Sequence, residues 1–442
     1  MRAEEHQDAP SNEAILKTQR RLREKTSIRK VKVIPNPKYQ RNGTKAYVRT
    51  LVRYQFQPTK PGPYYKYFDQ EPKTGILAAL WSALSFDKKG DKKPGYVPAS
   101  DFEYDAAYLC EVLVGSNQQK VMLDFDTGSS DLWVNPRAFN PSQSKTWTLK
   151  QGKSWTIQYG DGSHASGFVG TDNISVGGLL IRNQAIEVAE TLSPELAQSG
   201  MDGLLGLAFR KLNSVSNHGM PDPQNTPMEN MMSQGDVPKD AQVFTCALYS
   251  VRDGDDNSES KESFYTFGFI DSDLVKSSGQ DITWIDIETR RGFWEFSSPT
   301  VSINGHTIKR SNNYAIADTG TTLALMSDEV CEALYKAIKG ATYSNKYMGW
   351  VVPTSVTLDD LPEFKIGVGR NEFVIQKEDL LYGLADEKLW YGGVQSRGKN
   401  SFDILGDTFL KSVYAGHKRF GLVPKIEPTQ NITPPQPVQK RK

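Results

Sequence analysis

Short apolar runs separated by Gly, Asn and Asp turns dominate the chain from Tyr104 onward. Runs of strand length that are rich in Val, Ile, Thr and aromatic residues predict an all-β protein. The clearest predicted strands are Tyr108–Val114, Ser154–Tyr159, Gly167–Val176, Phe264–Phe269 and Trp294–Ile303. A helix is predicted over Asp328–Lys339, where Val330, Leu334 and Ile338 share one helical face.

The first 95 residues follow a different pattern and are called the head below. Residues 1–30 are polar and charged and are predicted to be disordered or loosely helical, and a short strand is predicted over Val31–Ile34. A basic amphipathic helix is predicted next, from five residues at helical spacing: Tyr47, Val48, Leu51, Val52 and Tyr54. The Pro-rich stretch from Pro58 to Pro63 ends that helix. Lys88–Gly95 is rich in Lys, Gly and Pro and predicts an exposed linker, with a domain boundary after residue 95.

An Asp-Thr-Gly motif follows an apolar run twice, at Asp126 and again at Asp318. A second motif follows each of them, Asp202–Leu207 after the first and Phe402–Asp407 after the second. Two signatures repeated in the same order indicate two related β domains. We therefore predict an N-terminal β lobe at residues 96–290, a C-terminal β lobe at 291–424 and a flexible tail at 425–442.

Composition and charge narrow the functional classes. A chain of 442 residues is too long for a single hydrophobic core. Its content of 38% hydrophobic and 24% charged residues is typical of a globular protein. The head carries 21 Lys and Arg against 9 Asp and Glu, whereas the rest of the chain carries 32 against 43. This imbalance favours an electrostatic contact between head and body over a nucleic-acid-binding arm, for which no motif is present. No apolar run is long enough to predict a membrane span.

Neither a disulfide framework nor a metal site is predicted. Cys110, Cys246 and Cys331 have no metal-ligand spacing, and we predict that they are buried free thiols. Asp253–Asn257 resembles the start of a calcium loop but lacks the closing Glu, so it predicts a solvated loop.

Two acidic loops brought together by the repeat would form a site that activates water. Two carboxylates a few Å apart cannot both ionise easily, so Asp126 and Asp318 would share one proton. One would act as general base on a water while the other polarises an amide carbonyl, without a nucleophilic side chain, metal or cofactor. Six neighbours are predicted to support the pair through hydroxyl and backbone groups: Thr127, Gly128, Ser129, Thr319, Gly320 and Thr321.

These motifs resemble those of pepsin-family aspartic endopeptidases, and most of all the penicillopepsin- and aspergillopepsin-like acid proteases of fungi. The resemblance covers residues 104–423 and rests on five motifs in order: Asp126–Val134, Tyr159–Ser163, Gly203–Gly206, Asp318–Thr322 and Ile404–Gly406. It implies an all-β, bilobal fold with an active-site cleft between the lobes. It also implies a monomeric acid endopeptidase that hydrolyses internal peptide bonds of polypeptides.

The resemblance also implies a set of substrate-binding residues. Tyr159 would be the tyrosine of a flap that closes over the substrate, with Trp133 as its hydrogen-bonding partner. Gly160 and Asp161 would offer backbone N–H groups to the peptide. Asp124 and Asp161 match acidic positions that, in fungal relatives, let the S1 pocket accept Lys besides large apolar residues.

The head resembles a fungal prosegment, which implies synthesis as a zymogen inhibited from within the chain. Acidification would protonate carboxylates of the body, weaken their attraction to the head and allow its self-removal. The Lys pairs at 88–89 and 92–93 are predicted processing sites, with cleavage near Gly95. The family implies a secreted or vacuolar protein, but residues 1–30 contain no apolar signal-peptide core, so an intracellular location stays open.

A competing hypothesis is a catalytically silent relative that serves as a peptide- or protein-binding module on the same fold. The presence of both Asp residues together with Ser129 and Thr321 disfavours it. The chain departs from the family in the C-terminal lobe, where Thr354 and Trp390 replace the cysteines of the usual disulfide. Because loss of a bridge costs roughly 2–5 kcal/mol, this lobe is predicted to be less stable unless packing of Trp390 offsets the loss.

Overall fold

Strands dominate the part of the chain that the structure, a computed structural model, describes. The described residues are 11–25, 28–36, 41–64, 108–158, 164–234, 238–249, 262–416 and 420–425, together with residues 430 and 432. The predicted flap, the calcium-like loop and the linker with its processing sites lie outside them.

Twenty-eight strands are present in the described residues and are numbered in chain order. The first thirteen are β1 (Val31–Pro35), β2 (Tyr108–Val114), β3 (Gln119–Asp126), β4 (Leu132–Val134), β5 (Thr148–Gln158), β6 (His164–Val176), β7 (Leu179–Leu192), β8 (Gly203–Gly206), β9 (Ser216–Asn217), β10 (Met220–Pro221), β11 (Phe244–Ala247), β12 (Phe264–Phe267) and β13 (Thr283–Ile285). The other fifteen are β14 (Glu295–Ser297), β15 (Thr300–Ile303), β16 (His306–Lys309), β17 (Tyr314–Ala317), β18 (Ala324–Met326), β19 (Thr342–Ser344), β20 (Gly349–Pro353), β21 (Phe364–Val368), β22 (Asn371–Ile375), β23 (Leu381–Asp386), β24 (Leu389–Gly392), β25 (Val394–Ser396), β26 (Phe402–Leu405), β27 (Val413–Gly416) and β28 (Phe420–Pro424).

The α-helices are short compared with the sheets. Those in the described residues are α1 (Asn12–Lys25), α2 (Gly43–Arg53), α3 (Pro194–Gln198), α4 (Pro227–Ser233), α5 (Ser272–Ser277), α6 (Asp328–Lys336) and α7 (Asp407–Leu410). The predicted basic helix is α2, and the helix predicted over Asp328–Lys339 is α6, which ends three residues earlier. Residues 1–30 were predicted to be disordered or loosely helical, and the structure has the helical alternative in α1, a helix of 14 residues with a buried Ile15.

One large sheet and three smaller sheets hold these strands. The large sheet has the order β10-β9-β5-β6-β7-β4-β8-β3-β2-β1-β12-β11-β27-β28-β13, so it combines strands from the head, the middle and the end of the described chain. The smaller sheets have the orders β14-β17-β26-β18-β25, β16-β15-β21-β22 and β19-β20-β24-β23. The single strand predicted over Trp294–Ile303 is two strands, β14 and β15, because Pro299 between them has no N–H to donate.

The same strand arrangement occurs twice and leads to the two Asp-Thr-Gly motifs. β3 ends at Asp126 and pairs in parallel with β8, which pairs antiparallel with β4. β17 ends just before Asp318 and pairs in parallel with β26, which pairs antiparallel with β18. The second pair of repeated motifs thus supplies the strands beside those that lead to the aspartates, and the predicted internal repeat is confirmed. The lobe boundaries after residues 95, 290 and 424 stay predictions.

The head is part of the fold. β1 lies between β2 and β12 in the large sheet. Asn42 caps α2, because its side chain accepts a hydrogen bond from the Lys45 N–H (3.0 Å). The apolar face of α2, with Tyr47 and Leu51 among its buried residues, packs in one cluster with residues of β17, β18, β20 and β24. Full burial of an aliphatic side chain contributes about 1.5–3 kcal/mol, so this face attaches the head firmly to the body.

The three cysteines are buried free thiols, as predicted. Of the two positions that replace the family disulfide, Trp390 is buried in β24 and Thr354 directly follows β20. β20 and β24 are paired strands, so hydrogen bonds join the region where the bridge would lie. Among the described residues, no helix is long and apolar enough to cross a membrane.

Candidate active site

The two Asp-Thr-Gly loops meet where the two repeats contact each other. The Thr127 hydroxyl donates to the Ala317 carbonyl (2.9 Å), and the Thr319 hydroxyl donates to the Phe125 carbonyl (2.7 Å). Each hydroxyl also accepts the backbone N–H of the other threonine, at 2.9 Å and 3.0 Å. These four hydrogen bonds hold the loops together in the way predicted for the two threonines.

The carboxylates of the two loops lie side by side. A Cβ atom at Gly128 would overlap Oδ1 of Asp318, and a Cβ atom at Gly320 would overlap Oδ1 of Asp126. Each carboxylate therefore rests against the opposite loop, at a place where only glycine leaves room. The Gly128 and Gly320 N–H groups also donate to Oδ1 of their own aspartates, at 2.9 Å and 3.0 Å. Asp126 is 1% exposed and Asp318 is 0% exposed.

Hydroxyl groups complete the surroundings of both carboxylates. The Ser129 hydroxyl donates to Oδ2 of Asp126 at 2.5 Å, and the Thr321 hydroxyl donates to Oδ2 of Asp318. The structure thus brings together all six supporting residues that the sequence predicted around the pair.

Two residues of the head also bind these carboxylates, and the sequence analysis missed them. Nη2 of Arg53 donates to both oxygens of Asp126, at 2.9 Å and 2.7 Å. Nη1 of Arg53 donates to the Gly320 carbonyl (3.2 Å) and lies 3.9 Å from Oδ2 of Asp318. The Tyr54 hydroxyl donates to the same Oδ2 at 2.7 Å. The sequence did contain a signal for them: a basic residue is followed directly by a residue with a hydroxyl group, at the end of a helix with a buried face.

The two aspartates differ in the pKa of their carboxyl groups. Burial alone would raise the pKa of Asp126, but the Arg53 guanidinium and the hydrogen bond from Ser129 hold it below its usual value. For Asp318, burial and the neighbouring Asp126 charge outweigh the attraction of Arg53, and the pKa is raised. Asp318 therefore holds a proton more readily than Asp126, which favours the ionised form.

Two further carboxyl groups are buried near the pair. Burial raises the pKa of Asp124 to about 8, and the Asp126 charge adds to this effect while Arg49 of α2 opposes it. Burial also raises the pKa of Asp407, the first residue of α7, well above its usual value. Asp124 was predicted as a substrate-binding residue, whereas Asp407 lay in a repeated motif without a predicted role.

The predicted flap can be followed only up to its base. β5 and β6 form a hairpin whose last pair is Gln158 opposite His164. Trp133 is buried on β4 and stacks on Trp155 of β5, with ring centroids 6.2 Å apart. Because the flap tip lies outside the described residues, the roles of Tyr159, Gly160 and Asp161 and the partnership of Trp133 stay predictions.

The structure thus has two related β units, and each contributes one buried aspartate where the units meet. This arrangement defines a protein of the aspartic hydrolase class. The family model described as eukaryotic aspartyl protease matches residues 107–420, and the chain belongs to this family.

Fungal acid proteases are among its relatives. Endothiapepsin of Cryphonectria parasitica is 34% identical over 402 residues, which cover 87% of this chain and 86% of that protein. Aspergillopepsin-1 of Aspergillus fumigatus is 37% identical over 324 residues, covering 71% and 76%. Penicillopepsin-3 of Penicillium janthinellum is 36% identical over 346 residues, covering 75% and 82%.

A solved structure shares the fold. The crystal structure of the aspartic proteinase from Irpex lacteus superimposes with a TM-score of 0.58 and 24% identity, over 72% of this chain and 94% of that chain. The pepsin-like fold is therefore confirmed, and with the family match so is the predicted function as an aspartic-type endopeptidase.

Proposed function

We infer that the chain is the self-inhibited precursor of an acid endopeptidase, in which Asp126 and Asp318 are the catalytic pair and the head is the inhibitor. The observation that carries this proposal is the contact of Arg53 and Tyr54 with the two carboxylates. A substrate carbonyl and an attacking water need the same place, so the head and a substrate exclude each other.

Once the head has left, the Arg53 guanidinium is gone, but the hydrogen bonds from Ser129 and the Gly128 N–H still favour ionisation of Asp126, and the pair can act in general acid–base catalysis. Ionised Asp126 takes a proton from a water whose oxygen attacks the peptide carbonyl carbon, and Asp318 gives its proton to the carbonyl oxygen. A tetrahedral gem-diol results. Its collapse breaks the C–N bond as Asp126 returns its proton to the amide nitrogen, while Asp318 recovers a proton from a gem-diol hydroxyl.

The surrounding hydrogen bonds support this chemistry because they stabilise the charge of Asp126 and fix the positions of the two loops. Ser129 and the Gly128 N–H stabilise the ionised form of Asp126, which keeps a base available in acid. The bonds between Thr127 and Thr319 hold the two loops at a constant separation. The flap residues would close over the peptide and exclude water.

Acid would release the head because the Arg53 contact needs an ionised partner. The pKa of Asp126 is depressed while Arg53 is bound, so this contact persists above that pKa and is lost as the pH falls through it. Processing near Gly95 then yields the mature enzyme.

Arg49 opposes the raised pKa of Asp124, so a basic side chain of the head already acts on the residue proposed to favour Lys in the S1 pocket.

The substrates of this family are polypeptides, and we propose a monomer that acts outside the cell or in a vacuole. The fungal acid proteases named above support that location. The competing function, a silent peptide-binding module, would need the carboxylate pair to be incomplete.

The test uses the full chain and a denatured protein substrate across an acidic pH series. Acidified wild type should cleave it, and Asp126→Asn or Asp318→Asn should abolish cleavage. Arg53→Met removes charge-assisted hydrogen bonds of roughly 2–3 kcal/mol, so the head should release about 30–150-fold more readily and at higher pH. Arg29→Met, an exposed arginine of the head, is the matched control. Activity that survives Asp126→Asn would refute the catalytic assignment, and identical release by both Arg variants would refute the inhibitory one.

A further inference from the structure

A second side chain of the head occupies a cation site on the C-terminal repeat. Lys60 lies six residues after Tyr54 along the chain. Its Nζ atom lies 2.7 Å from Oε1 of Glu332, 5.5 Å from the ring centroid of Trp350 and 5.7 Å from that of Tyr343. Two aromatic rings and a carboxylate around one ammonium group form a recurrent arrangement for binding cations. Glu332, Tyr343 and Trp350 are called the ammonium site below.

The walls of the ammonium site are held in place by contacts within the body. The Trp350 and Tyr343 rings stand at 81° to each other with centroids 5.8 Å apart, so they form two sides of a box. On its other face, Trp350 stacks on Tyr335 at 5.0 Å and 9°. The backbone N–H of Trp350 donates to the side-chain oxygen of Gln395 (2.8 Å), which fixes the position of the strand. None of these contacts involves the head, so the Trp350 wall does not depend on Lys60 for its position.

The surface beside the ammonium site also accepts polypeptide backbone. The Tyr343 hydroxyl donates to the Pro61 carbonyl at 3.0 Å, a contact that any residue could supply. The Thr59 hydroxyl donates to Oδ2 of Asp328 at 2.5 Å. Asp328 and Glu332 lie on successive turns of α6, so this face of the body is acidic. It is complementary to a chain that carries a positive charge.

We propose that, in the processed enzyme, the ammonium site binds a lysine side chain of the polypeptide substrate. This inference rests on the proposed function, because the head must leave before a substrate can enter. The head itself contacts the aspartates through Tyr54 and the ammonium site through Lys60 at the same time. An extended peptide of six residues spans roughly 20 Å, so a substrate held at the aspartates reaches the same surface.

The test compares peptide substrates of the processed enzyme that share one cleavage site. Lysine is moved through the fourth to the eighth position on each side of that site, and each peptide is matched with one carrying norleucine, which keeps the stem and lacks the charge. Lysine should raise kcat/KM about 5–30-fold at one position. Glu332→Gln and Trp350→Leu should each reduce this Lys-to-norleucine ratio to near one. Glu329→Gln, an exposed glutamate on the same helix, should leave the ratio as it is.

Two additional measurements separate this inference from the proposed function. A short substrate that ends before the fourth position reports on catalysis alone, and its cleavage should not depend on lysine at all. Anisotropy of labelled, matched peptides on the processed protein gives the Lys-to-norleucine ratio without turnover. Cleavage of the short substrate with equal Lys and norleucine values at every position would overturn the inference and leave a site that serves only the head. A binding ratio without any cleavage would instead overturn the proposed function.

Discussion

We expect that replacement of Glu187 by Gln makes the stability of the protein decrease less as the pH rises. Glu187 lies on β7, and its buried carboxyl group lies close to that of Asp131, next to β4, because both accept from the same nitrogen of Asn213. The Asn213 side chain donates to both, at 2.9 Å each, and the Ser214 N–H donates to Asp131 at 2.7 Å. Two buried carboxyl groups this close to each other cannot both ionise at low cost. The native state therefore needs a proton here.

The pKa values give the direction and size of the effect. Burial raises the pKa of Asp131 from 3.8 to about 6, with the Asp126 charge adding to it, and burial raises that of Glu187 well above its usual value. The native state thus holds more protons than the unfolded chain, and the stabilisation is complete below about pH 4 and is lost as the pH rises. For Asp131 alone the loss is roughly 3 kcal/mol by pH 6, and Glu187 extends it to higher pH.

In Glu187→Gln the side-chain amide can donate to an ionised Asp131, so the pair no longer needs a proton. Thermal unfolding should be followed by circular dichroism from pH 4 to pH 8, in an Asp126→Asn background that prevents self-cleavage. The Tm of the parent should fall roughly 3–6 °C more than that of the variant. Glu190→Gln, an exposed glutamate on the same strand, is the control. Equal pH slopes for Glu187→Gln and its parent would refute the reasoning.

Three further substitutions test the head and the site. Asn42→Ala removes the cap of α2, which costs roughly 1 kcal/mol, so acid-induced processing followed on gels should be about fivefold faster. Thr319→Val removes the hydroxyl that joins the loops, so the Phe125 carbonyl loses its 2.7 Å donor and the Thr127 N–H loses its acceptor. We expect a loss of roughly 2–3 kcal/mol in unfolding free energy and at least a tenfold lower kcat/KM. Ser129→Ala removes a hydrogen bond that lowers the pKa of Asp126, so the acidic limb of the pH–rate profile of the processed enzyme should move to higher pH.

Each of these has a contrary result. Unchanged processing in Asn42→Ala would mean that α2 does not limit release of the head. A Thr319→Val protein with lower stability but normal kcat/KM would show that the threonine bonds do not set the separation of the carboxylates. A shift of the acidic limb to lower pH in Ser129→Ala would contradict the assignment of Asp126 as the ionised member.

The two Asp-Thr-Gly loops could be predicted from the sequence because the proposed chemistry requires particular residues at particular spacings. A repeated Asp-Thr-Gly followed by a hydroxyl residue specifies a carboxylate, a hydroxyl link to the other loop and a close approach. The structure has the corresponding hydrogen bonds at both aspartates. The sequence indicated the repeat but not its strand pairing, in which the second motif of each repeat lies on the strand beside the one that leads to the aspartate.

Contacts between distant segments could not be predicted in this way. Arg53 lies in a basic helix whose charges look solvated in the sequence, and only the burial of the α2 face brings its guanidinium to Asp126. Glu187 lies between Ile186 and Val188, so the alternation of a strand would place its side chain on a solvated face. It is buried because residues on both faces of this part of β7 are covered. Both cases depend on what packs on the element, which local pattern does not contain.

The position of β1 has a consequence for how this protein acquires its structure. β1 bridges two neighbours, with Val33 opposite Cys110 on β2 and Val31 opposite Tyr265 on β12. A chain that lacked the head from the start of synthesis would expose two unpaired strand edges in the middle of its largest sheet, and such edges invite association with other chains. In the full chain the head covers both of these edges. Recombinant production of the body alone is expected to give aggregates, whereas the full chain followed by acid treatment gives the folded enzyme.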